Sequence, residues 1–178
     1  MRLQMETKVE FTDSSFPRKL QFDMLNIGDA APNFELPDAD MDVVTLSQFK
    51  GRRKVVLYFY PKDDTPGCTL QAVEFSELEE QFDKCNTVVL GVSTDDCVSH
   101  GHFRDKHGLT VRLLADTDGE VCTRYGVLQE REVDGKHKRM AGRSTFIIDA
   151  AGIVRHCLAG VTPKHHAQDM LNLVKELS

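Results

Sequence analysis

The sequence lacks three features that would each indicate a particular class of protein. It has no apolar run near the roughly 20 residues that a membrane-spanning helix needs, so no membrane span is predicted. It has 22 Lys and Arg against 28 Asp and Glu, and the resulting net negative charge argues against a nucleic-acid partner. It contains no Cys-x-x-Cys pair, which excludes a dithiol oxidoreductase.

The cysteines form an odd set that is spread along the chain, which is typical of free thiols in a reducing compartment. Glu6, Glu10 and Asp13 stand where a signal peptide would be apolar, so a cytoplasmic location is predicted. Most buried cysteines are small apolar core residues, and this is the interpretation for Cys85, Cys122 and Cys157. The five cysteines are Cys68, Cys85, Cys97, Cys122 and Cys157.

The 178 residues, 40% of them hydrophobic, suffice for one well-buried core. Residues 1–23 lack a sustained hydrophobic period and are predicted to be a flexible extension, whereas residues 24–178 are predicted to form a single domain.

Strand-like runs alternate with segments of helical spacing, which predicts an α/β fold with a mostly parallel central sheet flanked by helices. Helices are predicted from Pro66 and over residues 98–108, 119–126 and 165–177. The predicted strands are Lys54–Tyr60, Thr87–Ser93, Val111–Ala115, Ser144–Asp149 and Ile153–Cys157.

The stretch "YFYPKDDTPGCT" joins the first of these strands to the first helix. Thr65 suits the N-cap and Pro66 the first helical position, which puts Cys68 in the first turn. Unpaired backbone N–H groups and the positive end of the helix dipole both favour a thiolate there. The helix also begins at the carboxyl edge of the sheet, where α/β folds place their sites. Cys68 is therefore the candidate nucleophile.

"PKDDTPGCT" resembles the P-x-x-x-T-x-x-C motif of peroxiredoxins, matched here by Pro61, Thr65 and Cys68. "GDAAPNFEL", "GVSTDD" with "SHGHF", and "GRSTFIID" resemble the peroxiredoxin Q or bacterioferritin comigratory protein subfamily over residues 25–177. The resemblance implies a thioredoxin-like fold and a thiol-dependent peroxidase that reduces hydrogen peroxide and organic hydroperoxides. It implies no cofactor and no metal.

The resemblance also implies a role for each site residue. Cys68 would attack a peroxide oxygen and become a sulfenic acid. Thr65 would hydrogen-bond the peroxide, and the backbone N–H groups of Gly67 and Cys68 would join Arg143 in stabilising the departing oxygen. Pro61 would shape the loop and exclude water.

The subfamily carries a resolving cysteine at either of two positions, and Val73 and Arg104 occupy them here. Cys97 follows a strand expected to end at the same sheet edge as Cys68, so it is the best internal candidate. An external thioredoxin, glutaredoxin or glutathione-type reductant, acting in a one-cysteine cycle, is favoured over a two-cysteine cycle through Cys97. A monomer or weak homodimer is expected.

Three neighbours of Cys68 bear on its chemistry. Gln71 stands where the subfamily usually has glutamate, so the hydrogen bonds around Cys68 are not predicted from the resemblance. Asp63 and Asp64 would disfavour the thiolate if they lay close, which makes Arg143 more necessary.

Two alternatives to this interpretation stay open. A non-catalytic binding module or holdase could keep the fold, although it would not need Thr65, Cys68 and Arg143 together. A Cys/His-rich stretch over residues 97–107 could suggest a zinc site, but the spacing of its Cys and His residues matches no common zinc site. Its histidines are predicted to be exposed on a helix. His165 and His166 are predicted to form the polar opening of the last helix. The residues of the Cys/His-rich stretch are Cys97, His100, His102 and His107.

Overall fold

A computed structural model describes residues 23–177, which form a five-stranded mixed sheet flanked by helices. The extension predicted at residues 1–23 falls outside this range apart from Asp23, so that prediction stays a prediction. The helices are α1 (Pro66–Lys84), α2 (Cys97–His107), α3 (Glu120–Arg124) and α4 (His166–Glu176). The strands are β1 (Glu35–Pro37), β2 (Val43–Thr45), β3 (Lys54–Phe59), β4 (Thr87–Ser93), β5 (Arg112–Ala115), β6 (Leu128–Val133), β7 (Lys136–Ala141), β8 (Ser144–Ile148) and β9 (Val154–Ala159).

The central sheet has the strand order β5-β4-β3-β8-β9. Strands β3, β4 and β5 pair in parallel, whereas β8 is antiparallel to both β3 and β9. The thioredoxin-like fold and its five predicted strands are confirmed, each strand to within two residues at either end. The sheet is more mixed than expected because β8 pairs antiparallel with the central strand β3 and with the edge strand β9.

Two small hairpins were not predicted. Strands β1 and β2 are three residues each, too short to show a period. Strands β6 and β7 consist mostly of charged and polar residues, so the alternation of apolar residues that marks a strand is absent. The turn between them, at Asp134 and Gly135, has φ of 52° and 74°. Asp-Gly is a strong signal for a two-residue hairpin turn, and it could have predicted this one.

Successive residues of β3 point to opposite faces of the sheet. Both faces are buried because other elements cover each of them. Leu57 and Phe59 belong to one core, which α3 and the β1–β2 hairpin cover. Val56 and Tyr58 belong to the other, which α1, α2 and α4 cover. No helix within residues 23–177 is long and apolar enough to cross a membrane.

The pairing of the strands brings three chain segments to one edge of the sheet. Phe59, at the end of β3, lies opposite Val92 of the parallel β4 and opposite Ser144 of the antiparallel β8. Helices α1 and α2 therefore begin at the same edge, and Arg143 enters it just before β8.

Candidate active site

The first turn of α1 carries Cys68, which is only 1% exposed. Thr65 is the N-cap in extended conformation, and Pro66 is the first helical residue. The hydroxyl of Thr65 does not cap the helix; it donates instead to the carbonyl oxygen of Lys62 at 3.0 Å. The first intrahelical bond runs from the Thr69 N–H to the Thr65 carbonyl, so the preceding N–H groups have no partner within the helix.

Arg143 reaches across from β8 and contacts two side chains of α1. Its Nη2 donates to Cys68 Sγ at 3.2 Å, and its Nη1 donates to Gln71 Oε1 at 2.7 Å. Gly67 leaves room for this guanidinium, because a Cβ there would lie 3.3 Å from Arg143 Nη2 and 3.2 Å from Pro163 Cγ. The fold thus brings together residues that are distant in the sequence.

The remaining predicted site residue, Pro61, is half-buried and begins the loop from β3 to α1. Together with Thr65, Gly67, Cys68 and Arg143 it lies at the carboxyl edge of β3.

Two buried polar groups near Cys68 have no hydrogen-bond partner among the described residues, namely the Tyr58 hydroxyl and Gln71 Nε2. Burial, and after it the negative charge of Cys68, raises the pKa of Tyr58 well above its ordinary value. Tyr58 stacks on Phe75 of α1. Sequence reasoning did not single out Tyr58, although strand alternation could have placed it on the face that α1 covers.

Asp63, in the loop before α1, is buried and accepts three hydrogen bonds. The Tyr60 hydroxyl donates to Oδ1 at 2.6 Å, while the Ser99 hydroxyl lies 2.8 Å and His100 Nδ1 2.7 Å from Oδ2. His100 is wholly buried, so the prediction that it is exposed was wrong. Its burial follows from its position one turn before Phe103, which packs in the core beneath α2.

Asp64, the second acid of the loop, is exposed and lies against the last turn of α2. Lys106 Nζ and His107 Nε2 each lie 2.7 Å from its carboxylate oxygens. These hydrogen bonds hold the pKa of Asp64 below its ordinary value. Both loop acids are therefore paired with cationic or ionisable groups of α2, and neither is left as a bare charge beside the cysteine.

The other histidines differ in their surroundings. His102 is exposed, as predicted, and His107 is half-buried. His165 is the N-cap of α4 and His166 its first residue, as predicted; His165 is exposed, whereas His166 is 4% exposed, with Nε2 2.8 Å from Thr145 Oγ1. Burial lowers the pKa of His166 to about 4. Within residues 23–177, no three His, Cys, Asp or Glu side chains are grouped so that they could hold a metal ion.

All five cysteines are free thiols. Cys97 is the first residue of α2 and is half-buried, and desolvation, followed by the charge of Asp96, raises its pKa. Cys122 is fully buried, and Cys85 and Cys157 are half-buried against the two cores, as the structural interpretation predicted.

The profile of the AhpC/TSA family matches residues 27–157, which include the whole of this arrangement. The chain belongs to this family. Peroxiredoxin Bcp of Helicobacter pylori is 44% identical over 147 residues, which are 83% of this chain and 96% of the relative. The chain is a peroxiredoxin of the peroxiredoxin Q and Bcp type, as the sequence motifs predicted.

Solved structures of peroxiredoxins share the fold. A cysteine-to-serine mutant of peroxiredoxin Q from Xylella fastidiosa has a TM-score of 0.80 at 34% identity, covering 88% of this chain and 99% of that one. The Xanthomonas campestris bacterioferritin comigratory protein has a TM-score of 0.77 at 33% identity, covering 86% and 97%. Its structures address an alkyl peroxide reduction activity.

Proposed function

We propose that this peroxiredoxin, a thiol-dependent peroxidase, reduces hydrogen peroxide and organic hydroperoxides with Cys68 as its nucleophile. The observation that carries the proposal is the hydrogen bond from Arg143 Nη2 to Cys68 Sγ at the start of α1. A guanidinium and a helix N-terminus both stabilise a thiolate, and the thiolate is the reactive form of cysteine. The alkyl peroxide reduction studied in the X. campestris relative supports organic hydroperoxides as substrates.

The reaction needs only the groups at this sheet edge. The Cys68 thiolate attacks one oxygen of the peroxide, the O–O bond breaks, and Cys68 becomes a sulfenic acid. The electron pair leaves with the other oxygen, which takes a proton and departs as water or an alcohol. Arg143 and the first N–H groups of α1 stabilise the charge on that oxygen. The Thr65 hydroxyl donates to Lys62, so its lone pairs remain available to accept from the peroxide.

Gln71 fixes the direction of Arg143 by accepting from Nη1, which leaves Nη2 pointing at the sulfur. Because the amide is neutral, Gln71 orients the guanidinium without offsetting its charge. The full positive charge of Arg143 is then available to the reacting atoms.

For the second half of the cycle we favour an external thiol, from thioredoxin, glutaredoxin or a glutathione-type reductant. Val73 and Arg104 carry no sulfur, and the raised pKa of Cys97 disfavours the thiolate that would attack the sulfenic acid. The free thiols suit a reducing compartment such as the cytoplasm. The monomer or weak homodimer stays a prediction.

Replacement of the nucleophile tests the proposal. Cys68→Ser should abolish peroxide reduction, since a hydroxyl is far less acidic than a thiol of similar size. Peroxide consumption is measured with each reductant supplied separately, and circular dichroism checks the fold. Cys157→Ser, at a half-buried cysteine outside the site, is the matched control and should keep its activity. Wild-type turnover by Cys68→Ser would refute the proposal.

A further inference from the structure

A buried aspartate–histidine pair links the loop that carries the peroxidase site to helix α2. Asp63 and His100 have side chains that are 4% and 0% exposed, and their Oδ2 and Nδ1 atoms are 2.7 Å apart. Asp63 belongs to the loop between β3 and α1, two residues before Thr65, whereas His100 belongs to the first turns of α2. The pair therefore joins the site loop to a separate helix.

The hydrogen-bond partners assign the protons of this pair. His100 Nε2 lies 2.9 Å from the Leu114 carbonyl oxygen, which can only accept, so Nε2 carries a proton. Asp63 meanwhile faces the hydroxyls of Tyr60 and Ser99 as well as His100 Nδ1. Three donors on two oxygens favour an ionised carboxylate. Both ring nitrogens of His100 therefore face oxygen atoms, Nε2 the Leu114 carbonyl and Nδ1 the Asp63 carboxylate.

The other charged groups around the pair are already engaged. Asp95 Oδ2 accepts from the Asp63 backbone N–H at 2.8 Å and from the Ser93 hydroxyl at 2.7 Å. Asp96 accepts from the Ser99 N–H at the start of α2. Asp64 is bound by Lys106 and His107. Within residues 23–177, His100 is thus the basic side chain in contact with the buried carboxylate.

We propose that His100 is a positioning residue for the peroxidase site, which neutralises Asp63 and so removes a negative charge that would oppose the Cys68 thiolate. The inference rests on the proposed role of Cys68. Asp63 lies five residues before Cys68. Its partner Tyr60 stacks on Tyr58 with ring centroids 5.6 Å apart, and both tyrosines pack in the same core cluster as Cys68. A carboxylate without its counter-ion in the loop next to Cys68 would destabilise a second anion.

The test is His100→Gln, which keeps a hydrogen-bonding side chain but removes the positive charge. Tyr60 and Ser99 continue to donate to Asp63, so its charge persists. We expect thiolate formation at Cys68 to require a higher pH, and the rate with peroxide near pH 7 to fall roughly threefold to tenfold. The rate should recover to the wild-type value at high pH. Thiolate formation is followed by ultraviolet absorbance and by the pH profile of alkylation, neither of which needs peroxidase turnover.

Two further variants separate electrostatics from loss of structure. The double variant Asp63→Asn/His100→Gln carries no charge at the pair and should return the pH of thiolate formation to its wild-type value. His102→Gln changes an exposed histidine of the same helix and should leave it unchanged. If His100→Gln does not fold, the double variant alone is compared with the wild type. A changed pH of thiolate formation in the double variant then overturns the proposal.

The outcomes distinguish this inference from the proposed function. An unchanged titration in His100→Gln, or a rate loss that is equal at every pH and persists in the double variant, overturns the role of His100 and leaves Cys68 as the nucleophile. Failure of the wild-type thiolate to react with peroxide overturns the proposed function instead, and the titrations still report on the ion pair.

Discussion

At the scale of single residues, the planar fork of Arg143 explains how one side chain serves two partners. Nη2 contacts Cys68 while Nη1 contacts Gln71, so the group that stabilises the sulfur is itself held in direction. A lysine ammonium is a single point of charge on a flexible stem and cannot make both contacts with fixed geometry. Charge alone is therefore not what this position requires.

Arg143→Lys should consequently lower the second-order rate constant with peroxide by one to several powers of ten, each worth about 1.4 kcal/mol. Stopped-flow measurement of peroxide consumption by the reduced enzyme checks this. Arg139→Lys, at an exposed residue of β7 that pairs with Glu130, is the control and should react at the wild-type rate. An unchanged rate in Arg143→Lys would mean that the fork makes no contribution to the reaction.

At the scale of elements, the positions of two helix starts bear on how Cys68 is reduced. Helices α1 and α2 both begin at the carboxyl edge of the sheet, with Cys68 in the first turn of one and Cys97 opening the other. A disulfide needs Cα atoms within about 7 Å. Cys68 is buried under Arg143, so the internal route requires the first turn of α1 to unwind.

We therefore expect one equivalent of peroxide to produce a Cys68 sulfenic acid that persists long enough to be trapped, and excess peroxide to drive it to sulfinic acid. Mass spectrometry should find an adduct on Cys68 with the other four thiols free. Cys97→Ser should give the same result. A rapid and quantitative Cys68–Cys97 disulfide, lost in Cys97→Ser, would instead establish the two-cysteine cycle.

The elements also show what the sequence could predict. The strands of the central sheet were found because β-branched runs alternate with helical segments, whereas the β6–β7 hairpin was missed because its side chains are mostly charged. The motif predicted Pro61, Thr65 and Cys68 as site residues, and the stretch "GRSTFIID" predicted Arg143. It could not identify His100, because a polar residue on a weakly amphipathic helix does not reveal which face is buried; only its spacing from Phe103 was informative.

At the scale of the whole molecule, the core between the sheet and α4 makes folding sensitive to acid through His166. The unfolded histidine has a pKa near 6.5, whereas burial, opposed in part by the charge of Asp169 and reinforced by that of Arg143, lowers the folded pKa to about 4. Between these values the unfolded chain binds a proton that the folded protein does not. Stability therefore falls as the pH drops through this window, by up to about 3 kcal/mol.

His166→Gln should remove this component. The free energy of unfolding in urea, compared at about pH 7 and about pH 4.5, should fall by about 2 to 3 kcal/mol less in the variant than in the wild type. In His102→Gln, a variant at an exposed histidine, the free energy of unfolding should fall by as much as in the wild type. Equal losses in His166→Gln and the wild type would show that His166 is protonated in the folded state over this range.

The place of β8 beside the central strand β3 has a consequence for biosynthesis. Arg143 follows Cys68 by 75 residues, and β3 finds its antiparallel neighbour only when β8 has been made. A nascent chain on the ribosome therefore exposes Cys68 long before the guanidinium arrives. We expect the thiol to behave as an ordinary, weakly ionised cysteine during that interval, so that the chain acquires a peroxide-sensitive group only after β8 has been made.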